Sequence, residues 1–324
     1  MPKAIRVHAV GGPDKLVFED VPTPKPGAGQ VVVQNKAIGL NFIDVYFRTG
    51  LYPAPSLPFV LGNEAAGEIV ALGKGVSDFK IGDRVAYIAP LGAYAEQRVT
   101  DTKILVKIPK AISFETAAAM MLKGLTAEYL LKRTYKVKKG DSVVIHAAAG
   151  GTGQILCQWA RYLGAVVIGT VGSAEKAKIA KKIGCHHVID TSKEDIAKRV
   201  REITKGVGCH VVYDGVGKAT FMASLDSLRP FGMLASFGNA SGPVEPFNIG
   251  ILGGKGSLYI ARPTLFTHIS DAATLKAMAR NLFKVVSSGV VKIPINQRYP
   301  LSKAADAHTA LEARQTTGST VLIP

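Results

Sequence analysis

The run Val143-Val144-Ile145-His146-Ala147-Ala148-Ala149-Gly150-Gly151-Thr152-Gly153-Gln154 joins a β-branched stretch, a glycine turn and a helix opening. That order of residue types suits a dinucleotide pyrophosphate. Small side chains let backbone N–H groups approach the phosphates, and the helix that follows adds its positive N-terminal end. From Ala148 to Gly153 the pattern is A-x-G-x-x-G, with alanine at the first position of the usual fingerprint, still small enough for a tight turn. Ala149, Gly150, Gly151, Thr152 and Gly153 are therefore expected to line the phosphates. A ligand-free glycine turn has the same local signature, and the flanking strand and helix are what favour the binding reading.

About 20 residues past such a turn, NAD-binding folds place an Asp or Glu that bonds both ribose hydroxyls. Here the corresponding stretch is Gly169-Thr170-Val171-Gly172-Ser173-Ala174-Glu175-Lys176, with no acid at the strand tip. Small residues leave room for a 2′-phosphate beside Gly172, Ser173 can donate a hydrogen bond, and Lys176 can reach the phosphate as a cation. NADPH is the cofactor this predicts. The competing reading makes Lys176 a surface lysine and turns Glu175 toward the phosphate.

Two styles of sequence must position these residues. From 141 onward strands expected at 142–147, 165–171, 187–189, 210–213, 231–237 and 257–261 alternate with helices, which implies a parallel, doubly wound sheet. From residue 4 to about 110 the pattern is short strands and turns, including Val31–Ala37, Ala66–Gly73 and Val85–Ile88 after a stiff loop with Pro22, Pro24 and Pro26. This reads as a partly open β-barrel. Between 113 and 132 strong helix formers follow a plausible N-cap, Ser113, with Met120 and Met121 as core filler. The tail offers a helix over 271–287, a strand over 292–295, a helix over 304–314 and a strand over 320–323. The last 60 or so residues are expected to pack mostly on the N-terminal part, which makes the cofactor domain a discontinuous insert.

The bulk properties narrow the classes. A chain of 324 residues with 47% hydrophobic and 20% charged residues fits two globular domains, and no run approaches the ~18 apolar residues of a membrane span. The start, Met1 to Val7, enters a strand pattern directly and reads as that of a cytoplasmic enzyme. Cys157, Cys185 and Cys209 form no C-x-x-C pair, so neither a disulfide framework nor a zinc knuckle is suggested. His186 and His187 have no nearby third ligand and read as a solvated or strand-edge pair. The net charge of +16 could attract nucleic acid, a membrane surface or a phosphorylated cofactor, but the basic residues are scattered over amphipathic segments such as 176–183.

Beyond the glycine turn, five stretches carry a family resemblance: Asn35 to Asp44, Leu61-Gly62-Asn63-Glu64-Ala65-Ala66-Gly67, the block 143–161, Val212 to Gly217 and Ser236-Phe237-Gly238-Asn239. Gly140-Asp141, Ala148 to Gly153, Gln158 and Arg161 satisfy the quinone-reductase signature closely. Over nearly its whole length the chain resembles the zinc-free quinone oxidoreductase (zeta-crystallin-like) branch of the medium-chain dehydrogenase/reductase superfamily. Zinc-dependent relatives carry a Cys near the position of Asn41 and a His directly before Glu64. Here those places hold no thiol and Asn63, and no cysteine marks a structural zinc lobe, so a metal-free site is expected.

The resemblance implies an α/β fold: a doubly wound parallel Rossmann sheet, residues 124–265, inserted in a partly open β-barrel (GroES-like) catalytic domain, residues 1–123 and 266–324. It places Thr126 and Tyr129 beside an interdomain cleft, Phe237, Gly238 and Ile260 near the nicotinamide, and Arg314 across the cleft from the cofactor. Arg262 belongs to the same set unless it bonds protein backbone, and Arg314 reads alternatively as a helix-end cap. Similar reductases often have a Tyr where this chain has Thr191. Asn41 can orient the ribose or the acceptor, and Tyr46 and Tyr52 offer phenolic donors and flat faces for an aromatic substrate, or else pack on the barrel surface. The chemistry expected is positioning plus hydrogen bonds from Asn41, Tyr46 and Tyr52, with no dedicated general acid. Quinones and α,β-unsaturated carbonyls both remain as substrates. A homodimer through the edge near 256–260 is implied, while an NADPH-regulated RNA-binding or crystallin-like role competes, with little support from 7% aromatic residues.

Overall fold

Alternating burial drives the first part of the chain into short strands: β1 (Lys3–Val7), β2 (Leu16–Asp20) and the long β3 (Gln30–Leu40), whose Val31, Val33 and Ile38 are fully buried. Helix α1 (Phe42–Thr49) follows at once, then β4 (Phe59–Val60), β5 (Glu64–Leu72), β6 (Arg84–Ile88), β7 (Gln97–Asp101), β8 (Leu105–Lys107) and α2 (Phe114–Tyr129). The second style is β9 (Ser142–Ile145), α3 (Gly151–Tyr162), β10 (Val166–Val171), α4 (Ala174–Lys182), β11 (His187–Asp190), α5 (Ile196–Ile203), β12 (Cys209–Asp214), α6 (Phe221–Ser227) and β13 (Leu228–Ser236). Short α7 (Ile251–Gly254), β14 (Tyr259–Ala261) and α8 (Leu265–His268) precede α9 (Ala272–Ser287), β15 (Ile295–Pro300), α10 (Ala304–Glu312) and β16 (Ser319–Ile323).

The computed structural model describes all 324 residues in two units. One comprises Met1–Lys123, Asp271–Phe283 and Ile293–Pro324; the other comprises Gly124–Ser270 and Lys284–Lys292. The second therefore takes in 266–270 and 284–292, segments that the sequence reading assigns to the first.

In the first unit a largely antiparallel sheet runs β15-β16-β3-β5-β6-β8, with β7 also paired to β3, and β2-β1-β4 form a smaller sheet. The tail belongs to this unit because β16 pairs antiparallel with β3, and Leu301, Ala304, Ala307 and Leu322 share one core with Ile5, Val33, Ile38 and Leu105. Each fully buried Leu or Ile contributes about 1.5–3 kcal/mol relative to exposure, so this closure does not depend on any one polar contact.

In the second unit every pairing is parallel, in the order β11-β10-β9-β12-β13-β14. Counted along the chain this is 3-2-1-4-5-6, the dinucleotide-binding order, whose direction reverses beside the first strand. Val144, Ile168, Val212 and Leu234 form its buried centre.

Among the boundaries that differ from expectation, three have a visible local cause. The strand placed at 292–295 forms instead over Ile295–Pro300, because Lys292 is held to α3 through both its N–H and its carbonyl by Gln158, and Pro294 lacks an N–H. Helix α10 stops at Glu312, where Arg314 takes φ 58°, a left-handed conformation that ends the helix. Helix α2 gives way at Leu130–Thr134 to one wider π-type turn.

Candidate active site

The glycine turn is a strand, a turn and a helix. Ala147 takes φ 50° just after β9, Gly150 caps α3 in an extended conformation, and the first N–H groups of α3 have no intrahelical acceptor. A Cβ on Gly153 would stand 2.2 Å from the Ala147 carbonyl oxygen, so only glycine allows the helix this close to the strand. The alanine at the first fingerprint position is absorbed across the sheet. A Cβ on Gly169 of β10 would come within 2.8 Å of the Ala148 methyl, and glycine there leaves that space empty. These residues fit a dinucleotide pyrophosphate.

At the tip of β10, Ser173 caps α4 and its hydroxyl accepts the Lys176 N–H at 3.3 Å. Glu175, exposed beside it, is held below the usual carboxylate range by its own backbone N–H and by the Ser173 hydroxyl. The competing acid is thus at the cap, in contact with Ser173. Thr191 donates to the Val171 carbonyl at 3.1 Å, and Asp190, opposite Val171 in the register, accepts from the Ser192 N–H and hydroxyl. No carboxylate lies on the β10 tip itself.

Phe237, Gly238 and Arg262 also follow carboxyl ends of strands, where open α/β sheets bind ligands. Phe237 and Gly238 follow β13; a Cβ on Gly238 would meet the Gly215 carbonyl oxygen at 2.5 Å, and the Phe237 N–H bonds the Asp214 carbonyl at 2.8 Å. Ile260 is half-buried within β14. Arg262 takes its backbone alternative, donating to Ser236 O at 2.9 Å and Gly238 O at 3.3 Å. Thr126 and Tyr129 are buried on α2, and the Tyr129 ring stacks on His268 with centroids 4.5 Å apart. Arg314, exposed in the first unit, follows α10.

A buried polar brace under these loops was not read from sequence. Asp214 accepts the Val216 and Gly217 N–H groups with one oxygen and the Thr220 and Ser224 hydroxyls with the other. His146 meets Ser224 Oγ and Thr170 Oγ1, each at 2.9 Å, and burial holds its pKa below the ordinary imidazole value. With the Ser224 proton committed to Asp214, Nε2 of His146 carries the donor hydrogen and Nδ1 accepts from Thr170. The brace ties the ends of β9, β10 and β12 together.

In the first unit, Asn41 caps α1, Tyr46 lies on that helix and Tyr52 just beyond it. The Tyr46 and Tyr52 rings pack edge to face at 5.1 Å, and Tyr46 is buried. Asn41 is held between two buried carboxylates. Its backbone N–H donates to Asp44 Oδ2 at 2.8 Å and its Nδ2 to Glu64 Oε1 at 2.7 Å. Its Nδ2 also lies 3.5 Å from the Gly39 carbonyl oxygen, and the Asn41 and Asp44 side chains form the reciprocal capping box that opens α1.

Neither Asp44, Glu64, Lys123, Tyr94 nor His308 was singled out from sequence. Glu64 also accepts the Leu122 N–H at 2.6 Å and the Lys123 ammonium at 3.1 Å. Lys123 donates to Leu40 O at 3.1 Å as well. Gly39 makes room for the carboxylate, since a Cβ there would stand 2.3 Å from Glu64 Oε1. Asp44 accepts from Asn63 Nδ2 at 2.6 Å and from the Tyr94 hydroxyl at 2.9 Å. Burial nevertheless raises its pKa to about 6. His308 lies beyond Tyr94, 3.2 Å from its hydroxyl, and takes Arg48 Nη1 at 3.4 Å; burial and that guanidinium push its pKa down to about 3. Arg48 is neutralised by Glu312 at 2.8 Å.

Two families match the chain: the alcohol dehydrogenase GroES-like domain over residues 27–110 and the zinc-binding dehydrogenase over 151–280. A quinone oxidoreductase of Pseudomonas aeruginosa is 54% identical over 325 residues, covering 100% of both chains. A 2-haloacrylate reductase of a Burkholderia species is 48% identical, over 100% of this chain and 99% of the relative. Among solved structures, Escherichia coli quinone oxidoreductase complexed with NADPH superposes with a TM-score of 0.97 at 48% identity, over 99% of this chain and 100% of that one. The zinc of the second family's name does not fit here. Asn41 and Asn63 offer amides, Glu64 is paired with Lys123, and no group of three His, Cys, Asp or Glu side chains gathers as metal ligands. Matched over its full length, the chain belongs to the quinone oxidoreductases of the medium-chain dehydrogenase/reductase superfamily.

Proposed function

We propose that the protein reduces quinones with NADPH, independently of zinc. The observation that carries this reading is the full-length identity of 54% to a quinone oxidoreductase, joined to a glycine turn in which Gly153 admits no side chain. Ala149, Gly150, Gly151, Thr152 and Gly153 hold the pyrophosphate. Gly172, Ser173 and Lys176 hold the 2′-phosphate, with Lys176 outweighing Glu175. Thr126, Tyr129, Phe237, Gly238, Ile260 and Arg314 contact the cofactor, and Arg262 fixes the Ser236 to Gly238 backbone that does so.

NADPH supplies a hydride when bound. The residues of this chain orient the acceptor and support the negative charge that develops on its oxygen. Tyr46 and Tyr52 provide phenolic donors and an aromatic face. Asn41 orients the ribose or the acceptor. The one proton that completes the hydroquinone, after hydride has supplied its other hydrogen, comes from water.

A second reading, reduction of α,β-unsaturated carbonyls at the C=C bond, is favoured by the 48% identity to a 2-haloacrylate reductase. Turnover of a quinone and enone panel with NADPH, combined with spin-resonance detection of semiquinone, separates the two. Faster quinone turnover supports the main reading, enone turnover alone supports the second, and no turnover of either class rejects both. A cytoplasmic location goes with this reading, since three buried free cysteines suit a reducing compartment.

A further inference from the structure

Asp214 is the last residue of β12, and its side chain is only 1% exposed. A buried carboxylate is costly unless its oxygens are hydrogen-bonded. Oδ1 accepts the Val216 N–H at 2.8 Å and the Gly217 N–H at 3.1 Å, while Oδ2 accepts the Thr220 hydroxyl at 2.7 Å and the Ser224 hydroxyl at 2.9 Å. In a trans peptide the carbonyl points opposite to the N–H, so holding these two N–H groups inward turns the Gly215 and Val216 carbonyls outward. Those carbonyls receive the Ala240 N–H at 3.2 Å and the Ser241 N–H at 2.8 Å. The loop after β13 thus hangs on the loop after β12. Ser241 Oγ donates to the Val216 carbonyl at 2.8 Å and accepts the Ala219 N–H at 3.0 Å, and the Lys218 N–H bonds the Gly242 carbonyl at 3.1 Å. The start of the same loop is fixed there too, since the Phe237 N–H bonds the Asp214 carbonyl at 2.8 Å and Gly238 packs on the Gly215 carbonyl.

We propose that Asp214 is a positioning residue for the nicotinamide half of the cofactor, acting through Phe237 and Gly238. What it supplies is an acceptor of fixed direction. Without that acceptor the peptides at 215–217 are free to turn, the bonds to Ala240 and Ser241 are lost, and binding must itself order the Phe237–Gly238 backbone. The adenosine end is held separately. Ser173 caps α4 through the Lys176 N–H, a contact that uses no residue of 214–242. Thr170, which His146 links to Ser224, sits in β10 between β9 and β11 and is held there by both neighbours.

This rests on the NADPH reading, and the test separates the two. Binding of NADPH and of adenosine 2′,5′-bisphosphate, which carries the 2′-phosphate but no nicotinamide, is measured by calorimetry for the wild type, Asp214→Ala, Asp214→Asn and Ser241→Ala. A wild type that does not bind NADPH defeats the cofactor reading, and one that binds NADPH but not the bisphosphate overturns the proposed division of the cofactor. Given binding of both, Asp214→Ala is expected to raise Kd for NADPH about 10-fold, as the competent loop geometry falls to about a tenth of the population, and Kd for the bisphosphate less than 2-fold. Asp214→Asn keeps an oxygen for both N–H groups while Ser224 turns its proton to the Thr220 carbonyl, 2.8 Å away, so NADPH binds within about 3-fold of wild type. Equal losses for the two ligands, an unchanged Kd for NADPH in Asp214→Ala, or a loss in Asp214→Asn as large as in Asp214→Ala overturns the proposal. Should Asp214→Ala not fold, Ser241→Ala decides. It removes only the bridge between the two loops, and about a 3-fold loss for NADPH with the bisphosphate unaffected is expected. Unchanged NADPH binding there, or an equal loss for both ligands, overturns the proposal in the same way.

Discussion

His308 and Asp44 sit in one buried chain, linked through the Tyr94 hydroxyl, and their ionisation works in opposite directions. His308 falls to about 3 under burial and the Arg48 charge, so its contribution to stability is present above the unfolded value near 6.5 and is lost as pH falls toward 3. Asp44 rises to about 6 under burial, so its contribution is present below the unfolded value near 3.8 and is lost as pH rises through 6. Between about pH 4 and 6 the two slopes offset one another in the wild type. His308→Asn removes one of them. The stability margin of wild type over that variant should shrink by roughly 1.4 kcal/mol for each unit of pH between about 6 and 4, measured by urea unfolding. A margin independent of pH would show that His308 is not buried as a neutral imidazole. None of this chain was legible in sequence, because Tyr94 and His308 are 214 residues apart and neither belongs to a motif. Lys123 did leave a signal, a single charge within an apolar helical run, while Ser173 and Lys176 are proposed because the fingerprint fixes the distance of the strand tip from the glycine turn.

At the scale of elements, local pattern and close contact decide different things. The central Rossmann strands β9, β10 and β12 were legible because each is a mainly buried apolar run, and the shift of one strand from 292–295 to Ile295–Pro300 came from Gln158, a partner 134 residues away. The outermost strand of the parallel sheet, β14, has only β13 beside it. Its Tyr259 is 55% exposed, and Phe231, whose N–H bonds the Gly256 carbonyl, is 62% exposed. An unpaired edge flanked by aromatic side chains favours pairing with a second copy of itself. A homodimer is the expected state, and Tyr259→Lys should halve the mass seen by light scattering. A wild-type monomer at micromolar concentration would contradict this assignment.

For the whole molecule, the sheet order and the way the tail closes the first unit follow from patterning, and the cofactor class from one turn and one strand tip. The charge of +16 favours an anionic ligand without choosing it. Substrate choice is less legible, since quinones and enones make similar demands on a donor and a flat wall. No helix is long and apolar enough to cross a membrane. The central claim is that the chain is a reductase selective for NADPH, with Lys176 prevailing over Glu175 at the 2′-phosphate. Its most direct test is kcat/KM for NADPH and for NADH with one benzoquinone acceptor, in wild type and in Lys176→Ala. A charge-assisted hydrogen bond of about 1.5–3 kcal/mol predicts that Lys176→Ala lowers the NADPH value roughly 10- to 100-fold and leaves NADH nearly unchanged. An NADPH to NADH ratio that is the same in both proteins, or a wild type that prefers NADH, would contradict the account.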